Sequence, residues 1–350
     1  MQADEHVSWF ADIGLADRSH VGGKGGSLGE LQRAGIRIPP GFIVGTRAFE
    51  RCIDLLERHS PLRAEVAALS PEDLPAIAAC SKALRSRIEH SELPPELLEE
   101  ISRAYVLLCG GAASAAVAVR SSATTEDAID ASFAGLQDTY LWVLGVAETL
   151  RMIRSCWSSL YSVESISYRR KRGFPEQGVA MAVVVQQMVD ARCAGVMFTR
   201  SPTTGDRSVI CIEAAWGLGS AVVGGEVTPD RWVVAKITGE ISVRQISDKA
   251  IQHLPRATGG TESVEVDAGM RVSACLNDEE LQKLRDIARR VERHYGRAQD
   301  IEWAVQRSDG EILLLQSRPE TVWSSREAAP VARAAENPLS HVMSIFGGRS

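Results

Sequence analysis

The sequence predicts an α+β protein of two lobes, with a helical insert in the first. Three observations carry that expectation. Residues 47 to about 110 follow a helical pattern almost throughout. From Gly178 onward the pattern changes to β-branched runs parted by glycine turns. The chain has 350 residues, 45% hydrophobic and 24% charged, enough for a large core in two or three lobes. The expected boundaries are 1–190 for the first lobe, with its insert at about 47–110, 191–325 for the second, and 326–350 for a tail or linker.

The elements follow in order. "VGGKGGSLGELQRAG" (21–35) reads as a glycine-rich loop running into a short helix, and Pro39-Pro40-Gly41 turns the chain into an extended piece. The insert holds "RAFERCIDLLERH" and "PEDLPAIAACSKALRSRIEHS", with helix starts marked by Ser70-Pro71 and Pro94-Pro95. "AVAVR" is a short buried strand ending at Arg120, followed by a long polar loop. Residues 147–173 read as one long helix. Strands are expected in "VAMAVVVQQMV", "AGVMFT", "SVICIEAAWG" and "RWVVAKITGEISVRQI". One clean helix interrupts them: Asn277 caps it with Glu280 three residues on, Leu281, Leu284, Ala288 and Val291 form its inward stripe, and Gly296 stops it.

The last element, "DIEWAVQRSDGEILLLQSRP" (300–319), reads as a β-hairpin with unusual polar cargo. A three-residue loop, Ser308-Asp309-Gly310, puts Arg307 opposite Glu311, Glu302 opposite Gln316 and Asp300 opposite Arg318. Period-two alternation then sets these four inner residues on one face, with Ile301, Trp303, Val305, Leu313 and Leu315 on the other. A carboxylate beside an amide oxygen suits Mg²⁺, which takes one or two protein oxygens plus phosphates and water. Arg318 nearby suits a phosphate. The plain alternative is a solvated face with an Asp300–Arg318 surface pair contributing under ~1 kcal/mol.

Other polar stretches point the same way. The glycines around Lys24 allow backbone N–H groups to turn toward an anion, although Gly25-Gly26 after the lysine rules out a Walker A loop. Arg120 needs a partner, either a carboxylate such as Glu126 or Asp127 or a ligand phosphate. Gly135 and Thr139 lie in a segment able to fold over a triphosphate. Gln186 and Gln187 sit on opposite faces of an apolar strand, where one amide suits an adenine edge and the alternative is a wetted edge strand. Glu213 and Glu226 flank a second glycine turn as possible supporting carboxylates.

Composition excludes several classes. The net charge of −6 disfavours a general nucleic-acid binder. No apolar run approaches the ~20 residues of a membrane helix, and the acidic N-terminus lacks a signal-peptide layout, so the expected location is the cytoplasm, away from membranes. Seven scattered cysteines contain no Cys-x-x-Cys pair, and Cys156 and Cys211 are expected as buried small hydrophobes.

Together the strings "VGGKGGSLGEL", "AVRSSATTEDAIDASFAGLQDTYL", "VVVQQMV", "GVMFTRSPTTGD", "WGLGSAVVGGEVTPD" and "QDIEWAV…LLLQSRP" resemble the ATP-binding domain of phosphoenolpyruvate synthase, pyruvate phosphate dikinase and rifampicin phosphotransferase, over roughly residues 15–322. The resemblance implies an ATP-grasp fold with ATP and Mg²⁺ as cofactors. It implies phosphate contacts from Lys24 and Arg120, a loop over the phosphates from Gly135 and Thr139, and Gln186 at the nucleotide. It places Mg²⁺ on Glu302 and Gln316 and the transferred phosphate on Arg318. It implies a dikinase-type phosphotransferase that forms AMP. The family's swivelling histidine domain and its third domain, which binds pyruvate or antibiotic, are missing from this sequence, and His341 has no comparable setting. The acceptor is therefore expected to be a histidine on a partner protein or a small molecule of the pyruvate or antibiotic kind. Ser220 stands where the family commonly has glutamate. That substitution leaves open a non-catalytic nucleotide sensor as the alternative.

Overall fold

The computed structural model describes residues 6–110, 115–124, 138–321 and 323. The fold is mixed α/β, built on two main sheets. In chain order the first half comprises β1 (Val7–Trp9), α1 (Arg18–Arg33), β2 (Gly41–Val44), four helices α2 (Thr46–Glu57), α3 (Leu62–Ala67), α4 (Leu74–Glu89) and α5 (Pro95–Leu108), then β3 (Val117–Ala123), β4 (Thr139–Val143), α6 (Val146–Ser159), α7 (Val163–Arg172) and β5 (Met181–Gln187). The strands form one five-stranded sheet in the order β1-β2-β5-β3-β4.

The second half comprises β6 (Ala191–Phe198), β7 (Val209–Trp216), α8 (Ser220–Val223), β8 (Asp230–Ala235), β9 (Ile241–Gln245), β10 (Ile251–Pro255), β11 (Thr261–Glu265), α9 (Ala268–Arg271), α10 (Asp278–Tyr295), β12 (Gln299–Gln306) and β13 (Ile312–Pro319). Six of its strands form an antiparallel sheet, β13-β12-β6-β7-β8-β9, and β10 and β11 stand apart as a ribbon. Each main sheet has its own core. Phe42, Phe49, Trp157 and Val183 centre the first, and Trp232, Leu284, Trp303 and Leu314 the second. No helix of the described residues is long and apolar enough to cross a membrane.

Several sequence expectations change in physical detail. The long helix of 147–173 is two helices, because Ser162 turns the chain and caps α7 by accepting from Ser165 N at 3.1 Å. The glycine loop at Lys24 is absorbed into α1, which breaks only at Gly22, with φ of 70°. α4 begins at Leu74 with Asp73 as its cap, three residues past the Ser70-Pro71 signal. β3 runs three residues beyond Arg120, which therefore stands in mid-strand. The ribbon β10–β11 carried no clear pattern in the sequence.

The 300–319 hairpin contains two compensating departures. Gly310 N–H donates to Gln306 O and Gln306 N–H to Glu311 O, so the turn holds four residues, Arg307 to Gly310. Arg307 is thus a turn residue and does not face Glu311. Near the turn the pairing is Val305 with Ile312 and Trp303 with Leu314. A register shift follows Glu302, with Leu315 the extra residue, and it restores Glu302 opposite Gln316 and Asp300 opposite Arg318. One extra residue in the turn and one in the bulge cancel. The hydrophobic faces do not follow the sequence expectation: Ile312 and Leu314 join Ile301, Trp303 and Val305 in the core, and Leu313 and Leu315 pack on the opposite face.

Candidate functional site

A cleft of about 1190 Å³ is walled by β3, β4 and β5 of one sheet and by β6, β12 and β13 of the other. Arg120 crosses it. Its guanidinium donates to Glu302 Oε2 at 3.0 Å, Gln316 Oε1 at 2.5 Å and the Leu315 carbonyl at 3.1 Å. Leu315 is the extra residue of the bulge. Arg120 therefore pairs with the two residues expected to hold a metal. Glu126 and Asp127, the carboxylates considered for it, lie outside the described residues.

The other expected residues gather in the same cleft. Lys24 lines it from the first turn after the Gly22 break, and Arg318 lines it from β13. Thr139 lies opposite Arg120 across the β3–β4 pair and also lines the wall. Gln186 is buried and lines the cleft, its amide nitrogen donating to Pro39 O at 3.2 Å. Its strand is the centre of the sheet, which disposes of the wetted-edge alternative. Gly135 lies outside the described residues, as does His341.

The glycines of α1 also serve close packing, while Gly23 lines the cleft beside Lys24. A Cβ on Gly22 would lie 2.1 Å from Ser122 O, and one on Gly29 would lie 2.4 Å from Ile13 O. Gly25 N–H donates to Ser122 Oγ at 3.2 Å. These glycines let α1 press against its neighbours and so carry Lys24 to the wall.

Four cleft cations were given no role in the sequence reading: Arg18, Arg200, Arg207 and Arg297. Arg200 lies in the string "GVMFTRSPTTGD", and that membership was the one available signal. With Lys24, Arg120 and Arg318 they face only Glu302 and Glu320 among the cleft carboxylates, so the enclosure favours a polyanion. Glu213 sits two strands from Glu302, at roughly 10 Å from the strand spacing, and pairs with Arg231. Glu226 pairs with His253.

The donor set fits a hard divalent cation. Glu302 and Gln316 present oxygens to one point that a guanidinium already fills. Asp300, two residues along the same strand face, has a buried Oδ1 with no hydrogen-bond partner among the described residues. Burial pushes the Asp300 carboxyl up to about 6; Arg318 pulls it back and Glu320 adds to the rise. Arg120 Nε is likewise buried without an acceptor among those residues. A cation beside the carboxylates and an anion beside the arginines would complete both sets. The described residues hold no cluster of three or more His, Cys, Asp or Glu that could bind a metal ion, so an ion here would need oxygens from a ligand or water.

The model of the pyruvate phosphate dikinase AMP/ATP-binding domain matches residues 18–338. A probable phosphoenolpyruvate synthase of Methanocaldococcus jannaschii is 40% identical over 90% of this chain and 26% of its own. The rifampicin phosphotransferase of Streptomyces sviceus is 42% identical over 91% of this chain and 36% of its own. The chain spans about a quarter to just under half the length of the curated relatives it matches. A solved D-alanyl-alanine synthetase A of Vibrio cholerae is 13% identical over 69% of this chain and 54% of that one, with a TM-score of 0.26, too low to bear on the fold.

Proposed function

This chain belongs to the family of the pyruvate phosphate dikinase AMP/ATP-binding domain, and from that premise we propose that it binds Mg-ATP in its cleft and transfers a phosphoryl group, forming AMP. The two sheets are then the two lobes of an ATP-grasp unit, 1–190 and 191–325, with 47–110 as the insert. The acceptor is a histidine on a partner protein or a small molecule of the pyruvate or antibiotic kind. The observation that carries this reading is the meeting of Glu302, Gln316 and Arg120 at one point of a cleft also lined by Lys24 and Arg318.

In this reading Lys24, Arg120 and Arg318 hold the phosphates, and Gln186 fixes the nucleotide. Thr139 covers the phosphates from the cleft wall. Glu302 and Gln316 hold the divalent cation, which supplies charge neutralisation of the phosphate oxygens. Arg120 has two roles. Without nucleotide it is the cation at Glu302 and Gln316; with nucleotide it turns its fork to phosphate.

The test is to incubate the pure chain with Mg²⁺ and ATP, with and without a candidate acceptor, and to separate the nucleotides. AMP supports dikinase chemistry. ADP alone points to a simple kinase, and binding without turnover to a sensor. Glu302→Ala is expected to abolish Mg²⁺-dependent turnover while the circular dichroism spectrum stays that of the parent. Retained turnover would remove Glu302 from the metal site.

A further inference from the structure

The wall of the cleft contributed by α8 holds a second piece of chemistry. Ser220 lines the cleft, and its Oγ lies 2.8 Å from His253 Nδ1. On the far side of the ring, His253 Nε2 lies 3.3 Å from Glu226 Oε2. The three residues form a line of hydroxyl, imidazole and carboxylate. With the ring hydrogen on Nε2 and directed at Glu226, Nδ1 is the acceptor and the serine hydroxyl donates to it. That is the arrangement by which a neutral imidazole activates a hydroxyl, and either ring nitrogen serves when the other is held.

The backbone fixes the line. Gly217 bridges to His253, and Leu218 N–H donates to His253 O at 3.0 Å. Gly217 has a φ of 72°, and a Cβ there would lie 2.5 Å from His253 O. The turn that carries Ser220 is therefore pressed onto the strand that carries His253. The His253 side chain is 12% exposed, which shields the imidazole behind the serine, while Glu226 is half exposed.

We propose that Ser220 is a phosphoryl acceptor within this cleft, with His253 as its general base and Glu226 holding the ring. The inference rests on the nucleotide reading above, since a bound nucleoside triphosphate is the donor. The Oγ–P bond forms as the bond from the terminal phosphorus to its bridging oxygen breaks. The hydroxyl proton passes to His253 Nδ1, and the nucleoside diphosphate leaves with the electron pair of the broken bond. The product is a phosphoserine on the chain itself, distinct from the AMP-forming transfer.

The full chain is incubated with Mg²⁺ and ATP labelled at the terminal phosphate, and ATP retention is measured on the same sample by equilibrium dialysis. Expected is an acid-stable, alkali-labile label mapping by peptide mass to Ser220, and absent from Ser220→Ala. His253→Ala is expected to lower the labelling rate by about 100-fold or more. Free imidazole should restore part of it, which a merely structural histidine would not allow. ATP retained with no label, or with label on another residue, overturns the acceptor role. Labelling of His253→Ala at the parent rate overturns the base. ATP not retained at all removes the nucleotide reading and this inference with it.

Discussion

At the scale of single residues, Arg120 decides the ligand-free state. It is a cation tethered at the point where a divalent ion is proposed, so the two compete for Glu302 and Gln316. Arg120→Ala should therefore bind Mn²⁺ more tightly than the parent when nucleotide is absent, read by the loss of free-ion paramagnetic resonance signal. It should also bind ATP more weakly, because a phosphate contact is gone. Equal Mn²⁺ affinity in both proteins would mean that the guanidinium does not guard the site. The global stability of Arg120→Ala is expected to fall by roughly 1–3 kcal/mol in denaturant unfolding, because Arg120 is only 11% exposed and its removal strips a donor from three acceptors.

Asp300 couples folding to pH. Its carboxyl stands at about 6, above an ordinary 3.8, so the folded chain holds that proton more tightly than the unfolded one. The stabilising contribution is complete below about pH 4 and disappears as pH rises through 6. The difference of roughly 2 in pKa sets an upper size of about 3 kcal/mol. Asp300→Asn cannot titrate and escapes the loss. Urea unfolding at pH 4, 5.5 and 7 should show the variant gaining on the parent as pH rises. A gap that does not move with pH would refute the assignment.

Secondary-structure elements were legible where a local signal and the tertiary environment agree. Helix α10 carries its capping box, its four-residue apolar stripe and its left-handed Gly296 stop, all local chemistry. The Glu302–Gln316 pairing was legible as well, but through a wrong turn length offset by a bulge. Alternation cannot reveal a bulge, because "ILLL" offers apolar side chains to both faces. The packing role of the α1 glycines was not legible for a related reason. Local sequence shows that a backbone can approach something; it does not say whether that is an anion or Ser122. Gly22 tests the packing role. Gly22→Ala places a Cβ 2.1 Å from Ser122 O at a φ of 70°, so the expected loss is at least ~2 kcal/mol by denaturant unfolding. A neutral result would mean that α1 can shift on β3, and Lys24 with it. Arg18, Arg200, Arg207 and Arg297 were not legible in the sequence because each stands apart from the others until the two sheets face each other.

Across the whole molecule, α1 and the cleft tie the two halves together. Leu31 of α1 packs in the core of the second sheet, while Val21 and Leu28 pack against strands of the first. Ser27 Oγ donates to Ser317 O at 2.6 Å, and Tyr295 OH donates to Ser27 O at 3.2 Å. At the far edge, Gly260 N–H donates to Trp142 O at 2.9 Å, and Trp142 has a φ of 55°, unusual for a bulky residue. A ligand spanning the cleft adds contacts to both halves and is linked to the stability of the whole chain. Mg-ATP at 100 times its dissociation constant should stabilise the folded chain by about 2.7 kcal/mol, seen as a rise in the thermal midpoint. ATP with a chelator should give a smaller rise, because uncompensated phosphate charge then meets Glu302. Glu302→Ala should make the two rises equal, since the metal has lost its carboxylate. If Mg-ATP and metal-free ATP already stabilise the parent equally, the cleft binds nucleotide without the metal, and Glu302 and Gln316 serve only to hold Arg120.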